Sequence, residues 1–491
     1  MPSKHLRNRN QFRKGRAAIF TSMLACATLI FACAIFAANG HGQLHSSIPN
    51  LQPFLDPNGI VETYTTDPSG QVDLTGPFFQ DLGTNGRSCG TCHQPSDAWT
   101  VSAAHVKARF DATGGTDPIF RTVDGSNCDE NIDVSTQAGR AAAYSLLTTR
   151  GLIRIALPLP ANAEFEVVTV NNPYGCNDKS TLSMYRRPLP AANLRFLSTV
   201  MFDGRESSAQ TGTRKITSNP GDLVFDLAHQ SLDATNGHAQ GNGTRPTSAE
   251  QQQIVNFEMA LSVAQAVDFG AGDLQSDGAT GGPVPLSTQP FFIGINDSFP
   301  PSFHFNPTGA PFTPTIFTLF DQWLINHNHD GSKKASIARG QVLFNSKVIN
   351  ISEVAGVNDV LGIDVLPGTC GTCHDSPNVG NHSVSAPLNI GVGDLTSPLD
   401  VSYLPVITLR NKSTGAVLHT TDPGRALITG LWADIGKVKG PILRGLSARA
   451  PYFHNGSANT LMDVVTFYDR RFGIGFTDQE KADLVAFLSA L

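Results

Sequence analysis

The stretch Cys89-Gly-Thr-Cys92-His93 recurs letter for letter at Cys370-Gly-Thr-Cys373-His374. C-x-x-C-H is the spacing of c-type haem attachment, in which both cysteines form thioethers with the haem and the histidine ligates the iron. A dithiol redox pair and two halves of a four-cysteine zinc site are the alternatives, but neither requires a histidine after each pair. Two identical copies among eight cysteines therefore predict two covalently bound haem c groups.

The N-terminus has the layout of a secretory signal. Residues 1–16 carry six basic side chains and no acidic ones, and an apolar run follows over residues 17–38. We expect residues 1–40 to be a signal peptide that directs the chain to the periplasm, although the run is also long enough to remain as a membrane anchor. Loss of this leader makes the net charge more negative than the −6 of the full chain. An acidic protein argues against nucleic-acid binding and suits a basic redox partner.

Two cysteines remain outside the leader and the haem motifs. Cys128 and Cys176 both lie in turn-rich sequence. In an oxidising compartment we expect them to form a structural disulfide, and two free thiols are the alternative.

A duplicated helix pattern indicates two related units. Thr247-x-x-Glu250 and Thr477-x-x-Glu480 each open the same spacing of apolar residues, and each copy follows its own haem motif. Thr-x-x-Glu is a capping box, and the apolar spacing is that of an amphipathic helix. A haem motif followed by a closing helix is the plan of a cytochrome c domain.

We therefore predict a mainly α fold with two cytochrome c-like haem domains, long loops and a small β insertion. The N-terminal domain is expected over residues 41–330, with an insertion at residues 111–185 that contains a strand or hairpin near 164–170. The C-terminal domain is expected over residues 331–491 and begins with a helix at 333–345. A further helix is predicted at 315–325, after a Gly- and Pro-rich connection.

Three further stretches carry a family resemblance. Met201-Phe-Asp-Gly-Arg205, the stretch 443–456 and the stretch 460–468 resemble segments of the di-haem cytochrome c peroxidase and MauG family. The resemblance implies a peroxidase that reduces hydrogen peroxide at the N-terminal haem, ligated by His93. Electrons from a small donor protein, a cytochrome c or a cupredoxin, enter at the C-terminal haem, ligated by His374.

The resemblance also places Tyr468 as the second axial ligand of the C-terminal haem. The peroxidases have a methionine at this position and MauG has a tyrosine. A phenolate stabilises ferric iron, so the reduction potential should be lower than with methionine. Met462 lies on another face of the same helix, whereas His382 and His454 remain alternatives.

The chain departs from the family pattern around the reactive haem. Phe202 stands where the family has a tryptophan between the haems, which argues against electron hopping through this residue. Gln230 matches a distal glutamine, but no glutamate follows it, and His238 or Asp233 is predicted to carry protons instead. His105 is expected to be an exposed histidine rather than a cap on the resting iron.

Other family positions are also changed. Arg187 stands where the family has the asparagine of a calcium site, and Arg449 and Pro451 match its two carbonyl ligands. A guanidinium cannot ligate a cation, so calcium is not expected, and the charge of Arg187 is predicted to substitute for it. Arg205 and Arg444 are candidate partners of haem propionates or structural arginines. His327 and His329 are expected to be surface residues.

Two other functions fit the same motifs. One is a MauG-like oxidase or oxygenase that acts on an organic or protein substrate. The other is a di-haem electron carrier with both irons fully ligated and no catalysis.

Overall fold

The computed structural model describes residues 46–197, 199–207, 222–290, 316–327, 330–374 and 387–491. Residues 47–491 form one compact unit. The expected leader, His329 and His382 lie outside the described residues, and the division into two haem domains stays a prediction. Within the described ranges, no helix is long and apolar enough to span a membrane.

Thirteen α-helices are present among the described residues, most of them short. They span Cys89–Cys92, Ala103–Thr113, Gln137–Ala143, Ser145–Arg150, Leu223–His238, Ser248–Ala260, Pro283–Thr288, Asp321–His327, Lys333–Ser346, Asn358–Leu361, Ala426–Thr429, Leu461–Phe472 and Asp478–Ser489.

The duplicated pattern forms two capped helices, as predicted. Thr247 accepts a hydrogen bond from the Glu250 amide, and the Glu250 carboxylate accepts one from the Thr247 amide. Thr477 and Glu480 make the same pair of bonds at the start of Asp478–Ser489. Each box satisfies amides that the first turn of a helix leaves free.

The C-terminal helices pack around the second haem motif. The predicted helix at 333–345 is observed as Lys333–Ser346 and crosses Asp478–Ser489 at close range. At the crossing, a Cβ on Gly340 would lie 2.0 Å from the Asp483 carbonyl oxygen, so only glycine permits this approach. Phe344, Phe487 and Trp323 are buried in the cluster that results.

The helix predicted at 315–325 begins later than expected, at Asp321. The Phe317 amide donates to Asn345 Oδ1 at 3.1 Å, and the Phe320 amide donates to Gln341 Oε1 at 2.9 Å. These side-chain partners satisfy the backbone without a helical turn, which is why the periodicity was misleading there.

In the described part of the chain, five small antiparallel sheets accompany the helices, which is more β structure than predicted. Three are two-stranded: Ser47–Pro49 with Gln71–Asp73, Ile153–Pro158 with Thr181–Arg186, and Ile349–Ser352 with Val365–Gly368. A three-stranded sheet has the order Val417–Thr420, Val406–Asn411, Phe165–Asn171. A four-stranded sheet has the order Phe54–Asp56, Gly59–Thr65, Leu261–Asp268, Gly272–Asp273.

The strand predicted near 164–170 is confirmed as Phe165–Asn171, but it does not pair within the insertion. It pairs with Val406–Asn411, and Phe165, Ile407 and Leu409 are fully buried at the junction. Sequence periodicity identifies a half-buried strand but not its partner, which here lies far along the chain.

The predicted disulfide is confirmed between Cys128 and Cys176, with Cα atoms 5.7 Å apart. It joins the loop before the helix Gln137–Ala143 to the turn after Phe165–Asn171. The bond therefore ties together two parts of the insertion that are 48 residues apart.

Candidate haem cavities and active site

The first C-x-x-C-H motif opens on a cavity that we call the N-terminal cavity. Cys89, Cys92 and His93 lie on one wall. The opposite walls come from the helices Leu223–His238 and Ser248–Ala260. Most of the lining is apolar, and a few polar groups converge on it, as in typical cofactor sites.

His93 is held in the orientation that an iron ligand needs. Its Nδ1 lies 2.9 Å from the Trp99 carbonyl oxygen, and its ring packs 6.1 Å from that of Phe78. Burial lowers the pKa of His93. A neutral imidazole that donates Nδ1–H to a carbonyl presents its Nε2 lone pair, which is the donor that haem iron binds.

The polar wall of the N-terminal cavity contains two of the predicted catalytic residues. Gln230 and His238 both line it. His238 Nδ1 lies 2.5 Å from Asp124 Oδ2, and Asp124 also forms an ion pair with Arg87. His238, Asp124 and Arg87 thus form one hydrogen-bonded set. Arg87 and Asp124 were not among the site residues predicted from the sequence.

Asp233, the alternative to His238 as proton carrier, lies outside the cavity lining. Its side chain is half exposed, does not line the cavity and faces His229 at 3.9 Å. His229 in turn bonds to the buried Glu206 at 2.7 Å. Asp233 sits five residues before His238, so the two project from different sides of the helix Leu223–His238.

His105 also lies outside the cavity lining. As predicted, it is substantially exposed, and its Nδ1 lies 2.6 Å from Asp97 Oδ1. The hydrogen bond to Asp97 raises the pKa of His105. This pair resembles His238 with Asp124 in chemistry but faces solvent.

Glu258 is a polar residue of the N-terminal cavity that sequence reasoning missed. It is buried, and its Oε2 has no hydrogen-bond partner among the described residues. Burial raises the pKa of Glu258 to about 8. The sequence does indicate that Glu258 is buried, because it lies four residues after Ile254 and therefore on the same, buried face of an amphipathic helix.

The second motif opens on the C-terminal cavity, which is far more apolar. Cys370, Cys373 and His374 line it together with Tyr468 and His454. Burial raises the pKa of Tyr468 above its ordinary value. Burial lowers the pKa of His454 to about 4. Two of the three candidates for the second ligand, Tyr468 and His454, thus line this cavity, and the third, His382, lies outside the described residues.

Met462 is excluded by position as well as by helix geometry. Its side chain is 40% exposed and does not line the C-terminal cavity. Tyr468 lies among the rings of Phe453, Phe467 and Phe472. The helix Leu461–Phe472 therefore turns its tyrosine inward and its methionine outward, as the spacing predicts.

The two cavities share a wall. The residues that line both are Arg187, Pro188, Leu189, Pro190, Phe202 and Lys439. The Lys439 amide donates to the Phe202 carbonyl oxygen at 2.7 Å, and Lys439 Nζ donates to the Thr199 carbonyl oxygen at 2.8 Å. Burial lowers the pKa of Lys439 to about 7. Phe202 therefore lies between the two candidate haem sites.

Arg187, which stands at the family's calcium position, lies on the wall that the two cavities share. Its guanidinium donates to the backbone carbonyl oxygens of Val101, Arg150 and Arg449, at 2.5, 2.7 and 2.9 Å. The Arg449 carbonyl, one of the two that match the family's calcium ligands, is thus bonded to an N–H of Arg187. That the charge of Arg187 substitutes for calcium stays a prediction.

The residues that line the cavities fit haem in their chemistry. Haem is a flat apolar ring with two carboxylates, and each cavity combines apolar walls with buried cations. Among the described residues Lys439 Nζ donates to the Thr199 carbonyl oxygen and has no carboxylate within 4.0 Å, so a propionate would provide a charged partner. Arg205 lines the N-terminal cavity while paired with Asp203 at 3.0 Å, whereas Arg444 is buried and lines neither cavity.

The haem-motif thiols are available for attachment. Among the described cysteines, only Cys128 and Cys176 form a disulfide, and both pairs in the C-x-x-C-H motifs are reduced. The first motif is a short α-helix and the second a 3₁₀ turn. Both arrangements place the two sulfurs near one face of a turn, as attachment to one haem requires.

Comparisons with known proteins point in the same direction. Residues 438–472 match the family described as RoxA-like, cytochrome c-like. The cytochrome-c peroxidase IdrP2 of Denitromonas iodatirespirans is 36% identical over 135 residues, which cover 25% of this chain and 36% of that protein. The cytochrome c551 peroxidase of Nitrosomonas europaea is 30% identical over 186 residues, which cover 37% of this chain and 42% of the relative.

The predicted resemblance to the di-haem cytochrome c peroxidase and MauG family is confirmed. The chain spans less than half the length of either peroxidase in these matches. Among solved structures, a MauG-like protein associated with microbial copper homeostasis is 14% identical with a TM-score of 0.31, over 84% of this chain and 87% of that one. A variant of the diheme peroxidase BthA from Burkholderia thailandensis is also 14% identical, with a TM-score of 0.29, over 91% and 94%.

Proposed function

We propose that this chain is an exported di-haem c-type peroxidase that reduces hydrogen peroxide in the periplasm. The observation that carries the proposal is the pair of cavities. Each opens on a C-x-x-C-H motif, and the two meet at a shared wall. The N-terminal cavity is lined by a hydrogen-bonded set of proton-carrying groups, His238, Asp124 and Arg87.

In this proposal, Cys89 and Cys92 hold one haem c and Cys370 and Cys373 hold the other. His93 ligates the N-terminal iron, and His374 with Tyr468 ligates the C-terminal iron. Once the donor protein has reduced the two haems, they would supply the two electrons that peroxide reduction needs. The protein groups bind, orient and move protons.

The reaction consumes two protons as well as two electrons, since hydrogen peroxide becomes two molecules of water. Its O–O bond breaks most easily when a proton moves from the inner to the outer oxygen. His238 lines the N-terminal cavity with Nδ1 already engaged, which leaves Nε2 to accept that proton and return it. Gln230 lies on the same helix and lines this cavity, and its side-chain amide is proposed to hydrogen-bond the peroxide.

Electrons are proposed to enter at the C-terminal cavity and cross the shared wall. Phe202 is much harder to oxidise than the tryptophan that the family has there. Direct tunnelling between the two haems is therefore proposed instead of hopping through the ring. The donor is proposed to be a small cytochrome c or cupredoxin, whose basic surface would complement an acidic protein.

Tyr468 favours a second candidate, an oxidase or oxygenase of the MauG type. A phenolate ligand stabilises high oxidation states of iron, and Tyr468 faces the C-terminal cavity. Phe202 argues against this candidate, because it removes the oxidisable ring from the wall between the cavities.

Stopped-flow spectroscopy of the purified di-haem protein separates these functions. Peroxide is mixed with the reduced protein, with and without a reduced small cytochrome. Rapid oxidation of the cytochrome supports the peroxidase. A long-lived oxidised species that does not react with the cytochrome supports the oxidase, and two low-spin haems that ignore peroxide and cyanide support a carrier.

A further inference from the structure

Asp124 connects the insertion to the N-terminal cavity. It lies in the loop that precedes Cys128, is buried, and lines the cavity together with His238. Its Oδ2 lies 2.5 Å from His238 Nδ1. The residue that controls His238 thus comes from a segment that the haem motifs do not predict.

Arg87 fixes the position of this carboxylate. Its Nη1 pairs with Asp124 Oδ1 and also lies 3.2 Å from the His238 carbonyl oxygen. The same guanidinium donates to the carbonyl oxygens of Pro118 and Ile119, at 2.9 and 2.5 Å. Arg87 therefore joins the insertion, the end of the helix Leu223–His238 and the chain leading into the first haem motif.

Asp124 is ionised in this environment. Burial acts to raise the pKa of Asp124, but the hydrogen bond and charge of His238 and the charge of Arg87 outweigh it, so the pKa lies below its ordinary value. A buried carboxylate bonded to Nδ1 holds a histidine in the tautomer with Nδ1–H and stabilises the imidazolium that forms when Nε2 accepts a proton.

His238 lines the cavity that His93 also lines, and because Nδ1 is bonded to Asp124, Nε2 is the ring nitrogen left for a ligand in that cavity. Apart from the haem-motif residues, the other ionisable groups that line this cavity are Asp124, Glu258, Arg87, Arg186, Arg187, Arg205 and Lys439. Of the two carboxylates, Asp124 is the one that bonds to the His238 ring.

The geometry points to Asp124 as the positioning residue that makes His238 the proton carrier of the peroxide reaction, with Arg87 as its anchor. This inference rests on the proposed function. One proton leaves the inner peroxide oxygen for His238 Nε2 and then joins the outer oxygen as the O–O bond breaks. The first water leaves with that proton, and the remaining oxygen becomes the second water when the haems supply two electrons and solvent supplies two protons.

A matched pair of variants tests this role. Asp124→Asn removes the charge beside His238, and Asp97→Asn removes an equally buried carboxylate beside His105, outside the cavity. We expect Asp124→Asn to slow the reaction with peroxide by about tenfold to a hundredfold, a part of the 10²–10⁴ that acid–base catalysis supplies. Asp97→Asn should change the rate by less than about twofold.

A double variant separates positioning from folding. We expect His238→Gln to slow the peroxide step more than Asp124→Asn, and Asp124→Asn to have no further effect in the His238→Gln protein. Equal effects of Asp124→Asn with and without His238 would contradict the inference. So would conversion of a low-spin resting spectrum to high-spin by His238→Gln, because His238 would then be an iron ligand.

Cyanide association tests the inference separately from peroxidase activity. Hydrogen cyanide is protonated at neutral pH and must lose its proton to a nearby base as it binds iron. We expect Asp124→Asn and His238→Gln to slow this association at least about tenfold and Asp97→Asn to leave it unchanged. If the native chain does not turn over peroxide, the proposed peroxidase function is refuted. If cyanide association is nevertheless slow in both variants, the role of Asp124 in positioning His238 is supported. Unchanged association in both would refute that role even if peroxide is turned over.

Discussion

The two cavities differ in their polar groups more than in their haem motifs. The N-terminal cavity holds His238, Asp124, Arg87 and the buried carboxyl of Glu258. The walls of the C-terminal cavity are mostly apolar around Tyr468. Proton transfer needs groups that gain and lose charge, whereas electron transfer needs a site that reorganises little. Identical attachment motifs can therefore serve different chemistry, because the surroundings decide it.

Replacement of His93 or His374 should have the largest effect on activity, and the effect should differ between the two cavities. His93→Gly should lower peroxide turnover by at least about a thousandfold, the effect of losing roughly 4 kcal/mol of transition-state stabilisation. His374→Gly should block reduction by the donor protein but preserve a single reaction of chemically reduced protein with peroxide. Single-turnover and steady-state kinetics check this, and equal behaviour of both variants would show that the cavities share the chemistry.

Replacement of the candidate tyrosine ligand tests the C-terminal cavity. Tyr468→Phe should raise the reduction potential of one haem by on the order of a tenth of a volt, because a hard anionic ligand is lost. Met462→Leu is the control, since Met462 is exposed and outside the cavity. Spectroelectrochemical titration measures both. An unchanged potential in Tyr468→Phe would transfer the role to another residue, and His454 is the first to test.

Arg187, on the wall that the two cavities share, should contribute to the stability of the fold rather than to metal binding. Arg187→Gln should lower the free energy of unfolding by about 3 kcal/mol, because buried carbonyl oxygens lose their donors. Arg195→Gln should have a smaller effect, since Arg195 also donates to two carbonyl oxygens but is only partly buried. Denaturant unfolding of the holoprotein measures the difference.

A chelator should leave the activity and stability of the native chain unchanged. A requirement for added calcium would refute the proposed substitution of a cation by Arg187.

Glu258 should make stability depend on pH. Its pKa is raised from 4.5 to about 8 by burial, so the folded protein holds a proton that the unfolded chain loses. The contribution of Glu258 to the free energy of unfolding is intact below about pH 4.5 and declines as the pH rises towards 8. Glu258→Gln should remove this decline and raise the melting temperature at pH 8 by a few degrees, relative to the native chain. Melting curves from pH 5 to 8 test it, and parallel curves would contradict it.

The sequence was informative where spacing alone determines structure. The capped helices, the inward turn of Tyr468 and the helix Lys333–Ser346 follow from local periodicity and capping chemistry. The disulfide between Cys128 and Cys176 followed from compartment and cysteine count.

Long-range contacts were the part that the sequence could not supply. Asp124 meets His238 across 114 residues, and nothing in the spacing of either residue indicates the other. The pairing of Phe165–Asn171 with Val406–Asn411 has the same character. The choice between His238 and Asp233 as proton carrier depends on which side of the helix Leu223–His238 faces the cavity, and their separation of five residues places them on different sides.

A crystal structure of the haem-loaded protein with cyanide tests the central claim most directly. We predict cyanide on the iron that His93 ligates, with His238 Nε2 within hydrogen-bonding distance of it and Asp124 bonded to Nδ1. The iron at the other motif should keep His374 and Tyr468 and bind no cyanide. Cyanide on the iron beside His374, or His238 bonded directly to iron, would contradict the division of roles between the cavities.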